Sequence, residues 1–311
     1  MAADLNGTHA TVIGGGLMGH GIAQVLAHAG MQVVVHDPYP EVLAAVPGRI
    51  AENLGSLGLD ASAAERISLD GDLESAVGGA DWVFEAAPEK LELKQDLFRR
   101  MDAAAPASAV LATNTSVIRV GDVAAQSSNR ARIVGTHWWN PPYLVPLVEV
   151  VQGPDTSDET VRRTINLLDA LDKTPVHVRR DVAGFVGNRL QHALWREAFN
   201  LVEAGVCDAE TVDTVVKAGF GRRLAVLGPI ENADMVGLDL TLSIHEYVLP
   251  SLDPPSGPSG GLRERVERGE LGMKTGQGFR NWTKDEADGV RRRVSAHLAA
   301  SASPHPEGED K

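Results

Sequence analysis

A histidine and a glutamate in this chain are spaced so that they could act together as a general base and its carboxylate partner. His137 ends the apolar run RIVGTH, and Glu149 lies inside the next run, PLVEVV. The Asn-Pro-Pro sequence at residues 140–142 forms a turn that can bring these two runs side by side as strands. Histidine is the usual general base near neutral pH, and a buried carboxylate needs a partner. We predict a catalytic His137–Glu149 pair; the alternative is a structural ion pair between two strands.

Further polar residues follow other apolar runs. Glu85 lies in the run WVFEAA, and Glu89 and Lys94 follow it. Asn114 ends the run AVLATN, and Ser116 comes two residues later. In open α/β sheets, ligands bind beyond the carboxyl ends of the strands. These residues are therefore candidates for contacts with a cofactor or a substrate.

A glycine-rich segment near the start of the chain predicts a dinucleotide-binding turn. Its G-x-G-x-x-G pattern comes directly after a strand candidate and opens the helical pattern LMGHGIAQVLAHAG. A second strand candidate then ends at Asp37, 18 residues after Gly19. In this motif the glycines allow a tight turn, close approach to a pyrophosphate and packing of helix on strand. An acidic residue at Asp37 favours NAD over NADP, and no arginine follows it. The predicted cofactor contacts in this segment are Gly14, Gly16, Leu17, Met18, Gly19 and Asp37.

The elements that position these residues alternate along the first half of the chain. Apolar strand candidates are separated by segments with helical periodicity, which predicts an α/β Rossmann domain with a mostly parallel, doubly wound sheet. Beyond the segment that begins at Asp181 only helical patterns follow, which predicts an all-α domain. We expect an NAD-binding domain at residues 1–181, a helical substrate and dimerisation domain at 182–300, and a disordered tail at 301–311.

Composition narrows the choice of partners and compartment. The 311 residues carry a net charge of −13, which argues against nucleic acid or an anionic membrane as a partner. A single cysteine, Cys207, excludes an internal disulfide. No targeting leader, membrane-spanning run or metal-ligand spacing is recognisable. A cytoplasmic protein without a metal is therefore expected.

Four blocks of sequence carry a resemblance to a known family. NTS (114–116), THWWNPPYLVPLVEVV (136–151), DVAGFVGNRL (181–190) and LGMKTGQGF (271–279) resemble the 3-hydroxyacyl-CoA dehydrogenase family, and the likeness spans about residues 8–282. The resemblance implies an N-terminal NAD domain, a helical C-terminal domain that forms dimers, and a role in fatty acid metabolism. The implied active site lies in the cleft between the two domains.

The resemblance also implies roles for individual residues. His137 would remove the proton of the substrate hydroxyl, and Glu149 would orient its ring. Ser116 would bind the reacting oxygen, and Asn188 would position the substrate. The resemblance further implies cofactor contacts by Glu89 and Lys94. We also predict a cofactor contact by Asn114, at the end of the run AVLATN, and a substrate contact by Asn140.

The acyl group of the substrate stays open. Family members that use coenzyme A carry several lysines after the second strand, whereas residues 41–74 contain only Arg49 and Arg66 as cations. A related branch, which resembles L-gulonate 3-dehydrogenase, lambda-crystallin and carnitine dehydrogenase, acts on free hydroxy acids or serves as lens protein. NPPYLVPLVEVV (140–151) resembles that branch, and ENADMVGLD (231–239) resembles the acyl-CoA branch. The first hypothesis is an L-3-hydroxyacyl-CoA substrate; the alternatives are a free 3-hydroxy acid and a non-catalytic NAD-binding protein.

Two local features bear on a free acid. Arg222 and Arg223 could pair with a carboxylate or be surface charges. Trp138 and Trp139 could form an aromatic wall beside the base or pack in the core.

Overall fold

The chain divides into two compact units. The structure, a computed structural model, describes residues 5–252 and 257–301. The first unit ends at Asn188 and includes the end of the last helix from Ala296, and the second runs from Arg189 to Ser295. The predicted tail at 301–311 lies, apart from Ser301, outside the described residues. Across the described ranges, every helix is too short or too polar to span a bilayer.

The first unit is built around one sheet, in which the described residues supply eight strands. Their order across the sheet is β3-β2-β1-β4-β5-β6-β7-β8, and every neighbouring pair is parallel except β6 and β7. This arrangement confirms the predicted Rossmann-type α/β domain. The strands are β1 (His9–Ile13), β2 (Gln32–His36), β3 (Ile67–Asp70), β4 (Trp82–Glu85), β5 (Val110–Thr113), β6 (Ile133–Trp138), β7 (Leu147–Val151) and β8 (Thr174–Val178).

Helices cover both faces of the sheet, which is why the central strands are apolar on both sides. One face carries α1, α2 and α6, with core residues such as Ile22, Ile50 and Leu168; the other carries α3, α4 and α5, with residues such as Phe98 and Val123. The helices are α1 (Leu17–His28), α2 (Pro40–Ser56), α3 (Leu73–Val77), α4 (Leu91–Ala104), α5 (Val120–Val123) and α6 (Asp158–Ala170).

The glycine turn between β1 and α1 has the geometry that its sequence predicted. Gly14 has a φ of 100°, in the left-handed region that favours glycine. A Cβ at Gly19 would overlap the carbonyl oxygen of Gly14, so the helix can pack on the turn only with glycine at this position. Around Gly16, in contrast, a Cβ would meet nothing within 4 Å.

The second unit is helical, as predicted, with two isolated β-bridges that join Gly272, Gln277 and Asn281. Phe199 stacks on Phe279 with ring centres 4.6 Å apart, and the guanidinium of Arg265 lies 4.0 Å from the centre of the Phe279 ring. Its helices are α7 (Gly187–Glu203), which begins in the first unit, α8 (Ala209–Ala218), α9 (Pro229–Val236), α10 (Leu238–Val248), α11 (Gly260–Glu267) and α12 (Lys284–Ser301).

Six strands were recognised in the sequence, and two were missed. The missed strands, β3 and β8, lie at the two edges of the sheet, and most of their residues are exposed or half-buried. Edge strands need no continuous apolar run, and β8 even contains Pro175 and His177. The apolar pattern therefore identified the buried strands alone.

The glycine turn leads to a stability prediction. Gly19→Ala should lower the free energy of unfolding by about 1–3 kcal/mol or more, because the new methyl group overlaps backbone that cannot move away. Gly16→Ala is the matched control; its backbone is extended and its surroundings are open, so a change within about 0.5 kcal/mol is expected. Urea unfolding of both variants measures the difference. Equal stability of the two variants would show that the packing at Gly19 is not tight.

Candidate active site

The predicted His137–Glu149 pair is present at the centre of an antiparallel strand pair. β6 and β7 lie in a register that puts His137 directly opposite Glu149. The distance from His137 Nδ1 to Glu149 Oε2 is 2.7 Å, and the two residues are only 5% and 1% exposed. Because an ionised carboxylate can only accept, Nδ1 is the donor, and in the neutral ring Nε2 carries the lone pair. No other hydrogen bond of this ring is found among the described residues.

The second carboxylate oxygen of Glu149 is held by backbone. The amides of Val186 and Gly187 donate to Oε1 at 2.9 and 3.0 Å. Gly184 and Phe185 have φ angles of 74° and 51°, and this left-handed turn aims both amides at the carboxylate just where α7 begins. Burial by itself would raise the pKa of Glu149, but the hydrogen bonds from His137 and from these amides outweigh it and hold the pKa below its usual value.

Aromatic rings enclose the histidine. The ring centres of Trp139 and Phe185 lie 5.3 and 5.7 Å from that of His137. Trp138 points to the other side of the strand, where it packs edge-on against Phe84. Only Trp139 can therefore form the predicted aromatic wall beside the base, while Trp138 belongs to the core.

A second carboxylate organises the loop that carries Ser116. Glu89 Oε1 accepts hydrogen bonds from the hydroxyl of Thr115 and from the amides of Ser116 and Val117. Asn188 Nδ2 donates to the backbone oxygen of Ser116 at 2.8 Å. The Ser116 hydroxyl is exposed and has no hydrogen-bond partner in the described part of the chain. Ser116 and Asn188, predicted as site residues, thus lie next to each other.

Lys94 lies behind this loop and not on its surface. Its side chain is 1% exposed, and Nζ lies 2.7 Å from Glu85 Oε1 and 3.4 Å from Glu89 Oε2. Glu85 is fully buried and also accepts a hydrogen bond from the Thr113 hydroxyl at 2.7 Å. Here Lys94 supports Glu89, and its contact with a cofactor stays a prediction.

The residues around the glycine turn fit NAD. α1 begins at Leu17 with no side-chain cap and no acidic residue in its first turn, which leaves its N–H groups available to a pyrophosphate. The open space at Gly16 allows that approach. Asp37 accepts from the amides of Gly15 and Tyr39 at 2.9 and 3.0 Å, which fixes its carboxylate and leaves lone pairs for ribose hydroxyls.

Four other predicted contacts lie in the first unit. Leu17 is 65% exposed at the start of α1, and Met18 is half-buried. Asn114 Oδ1 accepts from the Trp138 amide at 2.9 Å, so Asn114 braces β6. Asn140 is exposed and precedes a cis peptide bond.

In the second unit, Arg222 and Arg223 are exposed in the 3-10 turn Phe220–Arg223. No carboxylate among the described residues pairs with either of them. The predicted carboxylate contact of these two arginines stays a prediction. The described residues also contain no cluster of His, Cys, Asp and Glu side chains that could hold a metal ion.

The sequence analysis missed two parts of this site. The amides of Val186 and Gly187 are backbone groups, and no side-chain type marks them. Asp181, which accepts from the amides of Val120 and Gly121 at 3.0 and 2.8 Å, anchors the start of the segment that leads to them. The block DVAGFVGNRL was recognised, but only the fold shows why its residues are needed.

The fold and the site together define an NAD-dependent dehydrogenase. The dinucleotide turn after β1 and the oriented histidine at the end of β6 lie at the same edge of one sheet, where such enzymes bind their ligands. The family model described as the NAD binding domain of 3-hydroxyacyl-CoA dehydrogenase matches residues 9–182. The model of the C-terminal domain of the same family matches residues 184–282. The chain belongs to the 3-hydroxyacyl-CoA dehydrogenase family, as its sequence predicted.

Relatives within the family differ in the substrates for which they are named. A probable 3-hydroxybutyryl-CoA dehydrogenase of Deinococcus radiodurans is 40% identical, covering 86% of this chain and 98% of its own. The 5-formyl-3-hydroxy-2-methylpyridine 4-carboxylate 5-dehydrogenase of Mesorhizobium japonicum is 34% identical over 93% of this chain and 95% of its own. A solved structure of a dehydrogenase for that pyridine acid, an NAD+-dependent dismutase, has a TM-score of 0.87 with 33% identity and covers 94% of this chain and 96% of its own.

The position of Asp37 leads to a prediction on cofactor choice. Replacing Asp37 by Ser and Pro38 by Arg removes the charge that repels a 2′-phosphate and adds a guanidinium that can bind it. We expect the ratio of kcat/KM with NADP to that with NAD to rise at least about tenfold, equivalent to about 1.4 kcal/mol. Pro38→Arg alone is the control and should change the ratio less, because Asp37 remains. An unchanged ratio in the double variant would mean that the ribose is recognised elsewhere.

Proposed function

We propose that this protein oxidises the hydroxyl group of an L-3-hydroxyacyl compound to the 3-keto compound, with NAD as the cofactor. The observation that carries the proposal is the buried His137–Glu149 pair, whose distance is 2.7 Å and whose second ring nitrogen carries an available lone pair. A purely structural NAD-binding protein has no need of such a pair, which argues against the non-catalytic alternative.

His137 acts as the general base in this proposal. Nε2 accepts the proton of the substrate hydroxyl, and the ring then carries a positive charge. Glu149, held ionised by three donors, stabilises that charge and keeps the ring in one orientation. The glycine turn and Asp37 would hold NAD, which would supply the hydride acceptor for the carbon that carries the hydroxyl.

Ser116 and Asn188 bind the reacting end of the substrate in this proposal. Asn188 is held by the backbone oxygen of Ser116, which leaves its second amide hydrogen and the Ser116 hydroxyl available as donors. Two neighbouring donors suit an oxygen that gains negative charge as the proton leaves. Glu89, through the amides of Ser116 and Val117, keeps the loop in place.

For the acyl group, we propose a coenzyme A thioester as the first candidate. The Deinococcus relative that is named for such a substrate aligns with this chain over 98% of its own length. A free carboxylic acid is the second candidate, and a specific observation favours it. Arg49 and Arg66 are the two cations between residues 41 and 74. Arg66 is half-buried and donates to the backbone oxygen of Ala27, so Arg49 is the only exposed cation in this range. An L-carnitine dehydrogenase of Pseudomonas aeruginosa, 40% identical over 72% of this chain and 71% of its own, is named for a free acid.

A paired assay of NADH oxidation tests these substrate classes. Acetoacetyl-CoA is supplied in one reaction and free 3-keto acids in another, at equal concentration. Turnover with the thioester alone would support the first candidate. Turnover with free acids alone would support the second and point to Arg222 and Arg223 as carboxylate contacts. No turnover with either class would contradict the proposed function.

The base is tested by His137→Gln in the same assay. The variant should lose about 10²–10⁴ in kcat, the usual contribution of a positioned general base. Binding of NADH, followed by fluorescence, should stay unchanged, because the ring lies outside the glycine turn. Near-normal turnover of the variant would remove His137 from the mechanism.

We further propose that residues 182–300 form dimers in addition to binding substrate, while residues 1–181 bind NAD. In α7 to α11 no side chain is fully buried within the single chain. Large apolar side chains are exposed instead, including Val226 at 86%, Ile230 at 75% and Tyr247 at 88%. A stable domain needs a core, and so large an apolar surface is covered by a partner in soluble proteins. A second copy of this chain is the proposed partner.

Sedimentation analysis tests the dimer. At micromolar concentration the mass should be twice the 33.0 kDa of one chain. The double substitution Ile230→Glu and Tyr247→Glu should shift the mass towards one chain, because charges placed in an apolar interface are costly. Leu59→Glu, at a 40% exposed position of the first unit, is the control and should leave the mass unchanged. A wild-type mass of one chain would contradict the proposal. A cytoplasmic location and a role in fatty acid metabolism stay predictions.

A further inference from the structure

A partly buried lysine without a carboxylate partner lies beneath the loop that joins β6 to β7. Lys173 Nζ donates to the backbone oxygens of Pro142 and Val145 at 2.6 and 3.4 Å. The same ammonium lies 5.7 Å from the centre of the Trp138 ring. Among the described residues no carboxylate lies within ion-pair distance of it. Its partners are therefore two carbonyl groups and an aromatic face.

The backbone on either side of Lys173 is fixed. α6 ends in a turn in which Asp172 has a φ of 56°, and the amide of Lys173 donates to the oxygen of Leu168 at 3.0 Å. Immediately afterwards, the amide of Thr174 donates to the oxygen of Pro146 at 2.9 Å as β8 begins. The side chain thus projects from a rigid point towards the loop at residues 139–146.

This loop connects the two members of the catalytic pair and touches helices α1 and α2. A Cβ at Gly21 of α1 would lie 2.9 Å from the Pro142 ring, so the loop packs closely on α1. The Tyr143 hydroxyl donates to Asn53 Oδ1 of α2 at 3.3 Å. Lys173, just before β8, supports the loop by donating to the carbonyls of Pro142 and Val145.

Keeping an ammonium at this position is unfavourable for stability. Burial lowers the pKa of Lys173 to about 8, although the nearby charge of Asp172 opposes that shift. Below that pH the folded protein carries a partly desolvated charge that the unfolded chain keeps in water. An apolar side chain of similar length would avoid this cost but would leave the carbonyls of Pro142 and Val145 without their donor, so the two effects on stability oppose each other.

We propose that Lys173 is a positioning residue for the reaction: its ammonium holds the 139–146 loop, and through it Trp139 and the His137–Glu149 pair, in the orientation that turnover requires. This inference rests on the proposed function. Trp139 follows the catalytic strand directly, and its ring lies against that of His137, so a shift of the loop reaches the base.

Two substitutions separate positioning from a structural role. Lys173→Met keeps the length of the side chain and removes the charge, whereas Lys173→Arg keeps a cation that can donate to carbonyls. We expect Lys173→Met to lose at least about tenfold in kcat, equivalent to about 1.4 kcal/mol, with NADH affinity and thermal stability little changed. Lys173→Arg should recover part of the lost kcat. Lys284→Met, at an 88% exposed lysine, is the control and should match the wild type.

A measurement without turnover keeps this inference distinct from the proposed function. The Nδ1 proton of His137, hydrogen-bonded to Glu149, should give its own NMR signal, which the loss of that signal in His137→Gln would assign. In Lys173→Met that signal should move or exchange faster with solvent, even if the substrate assay fails. Wild-type kcat and an unchanged signal in Lys173→Met would overturn the inference, as would a joint loss of stability and NADH binding.

Discussion

The buried carboxylate of Glu149 is the group on which the site depends. It lies on β7, one strand in from the edge of the sheet, and is almost inaccessible to water, so its charge has to be balanced by protein groups. His137 supplies one donor from the neighbouring strand, and the amides at the start of α7 supply two more. Satisfying this one charge therefore brings the β6–β7 pair and the segment that follows β8 together. The same contacts orient the histidine ring and leave its second nitrogen available.

A second set of buried charges holds the loop that carries Ser116, as Glu149 holds the ring of His137. Glu85 is fully buried at the end of β4, and Lys94 neutralises it from α4 while also approaching Glu89. Glu89 in turn binds the amides of Ser116 and Val117. Paired buried charges are poor sources of net stability, because desolvation offsets most of their attraction. Their value here lies in geometry, since each pair fixes the position of a loop at the edge of the sheet.

The family is clear from the chain, whereas the acyl group is not, and the reason is physical. In the proposed mechanism, the proton and hydride chemistry uses the end of the substrate that carries the hydroxyl, and β6, β7 and the Ser116 loop form this part of the site. Relatives named for a CoA thioester, for carnitine and for a pyridine carboxylate are 34% to 40% identical to this chain. The rest of each substrate must be recognised by other residues, and a few exposed arginines are a weak signal of it.

The sequence alone determined the parts whose chemistry depends on residue type at close spacing. The glycine turn, Asp37, the buried strands and the residue types of His137 and Glu149 follow from local patterns, because each is set by sterics or burial over a few residues. Tertiary structure decided which distant groups meet. Only the fold places Val186 and Gly187 on Glu149, buries Lys94 behind Glu89, turns Trp138 into the core and sets Lys173 beneath the loop. Backbone donors and edge strands carry no side-chain signature, so contacts of this kind are decided when strands and helices pack.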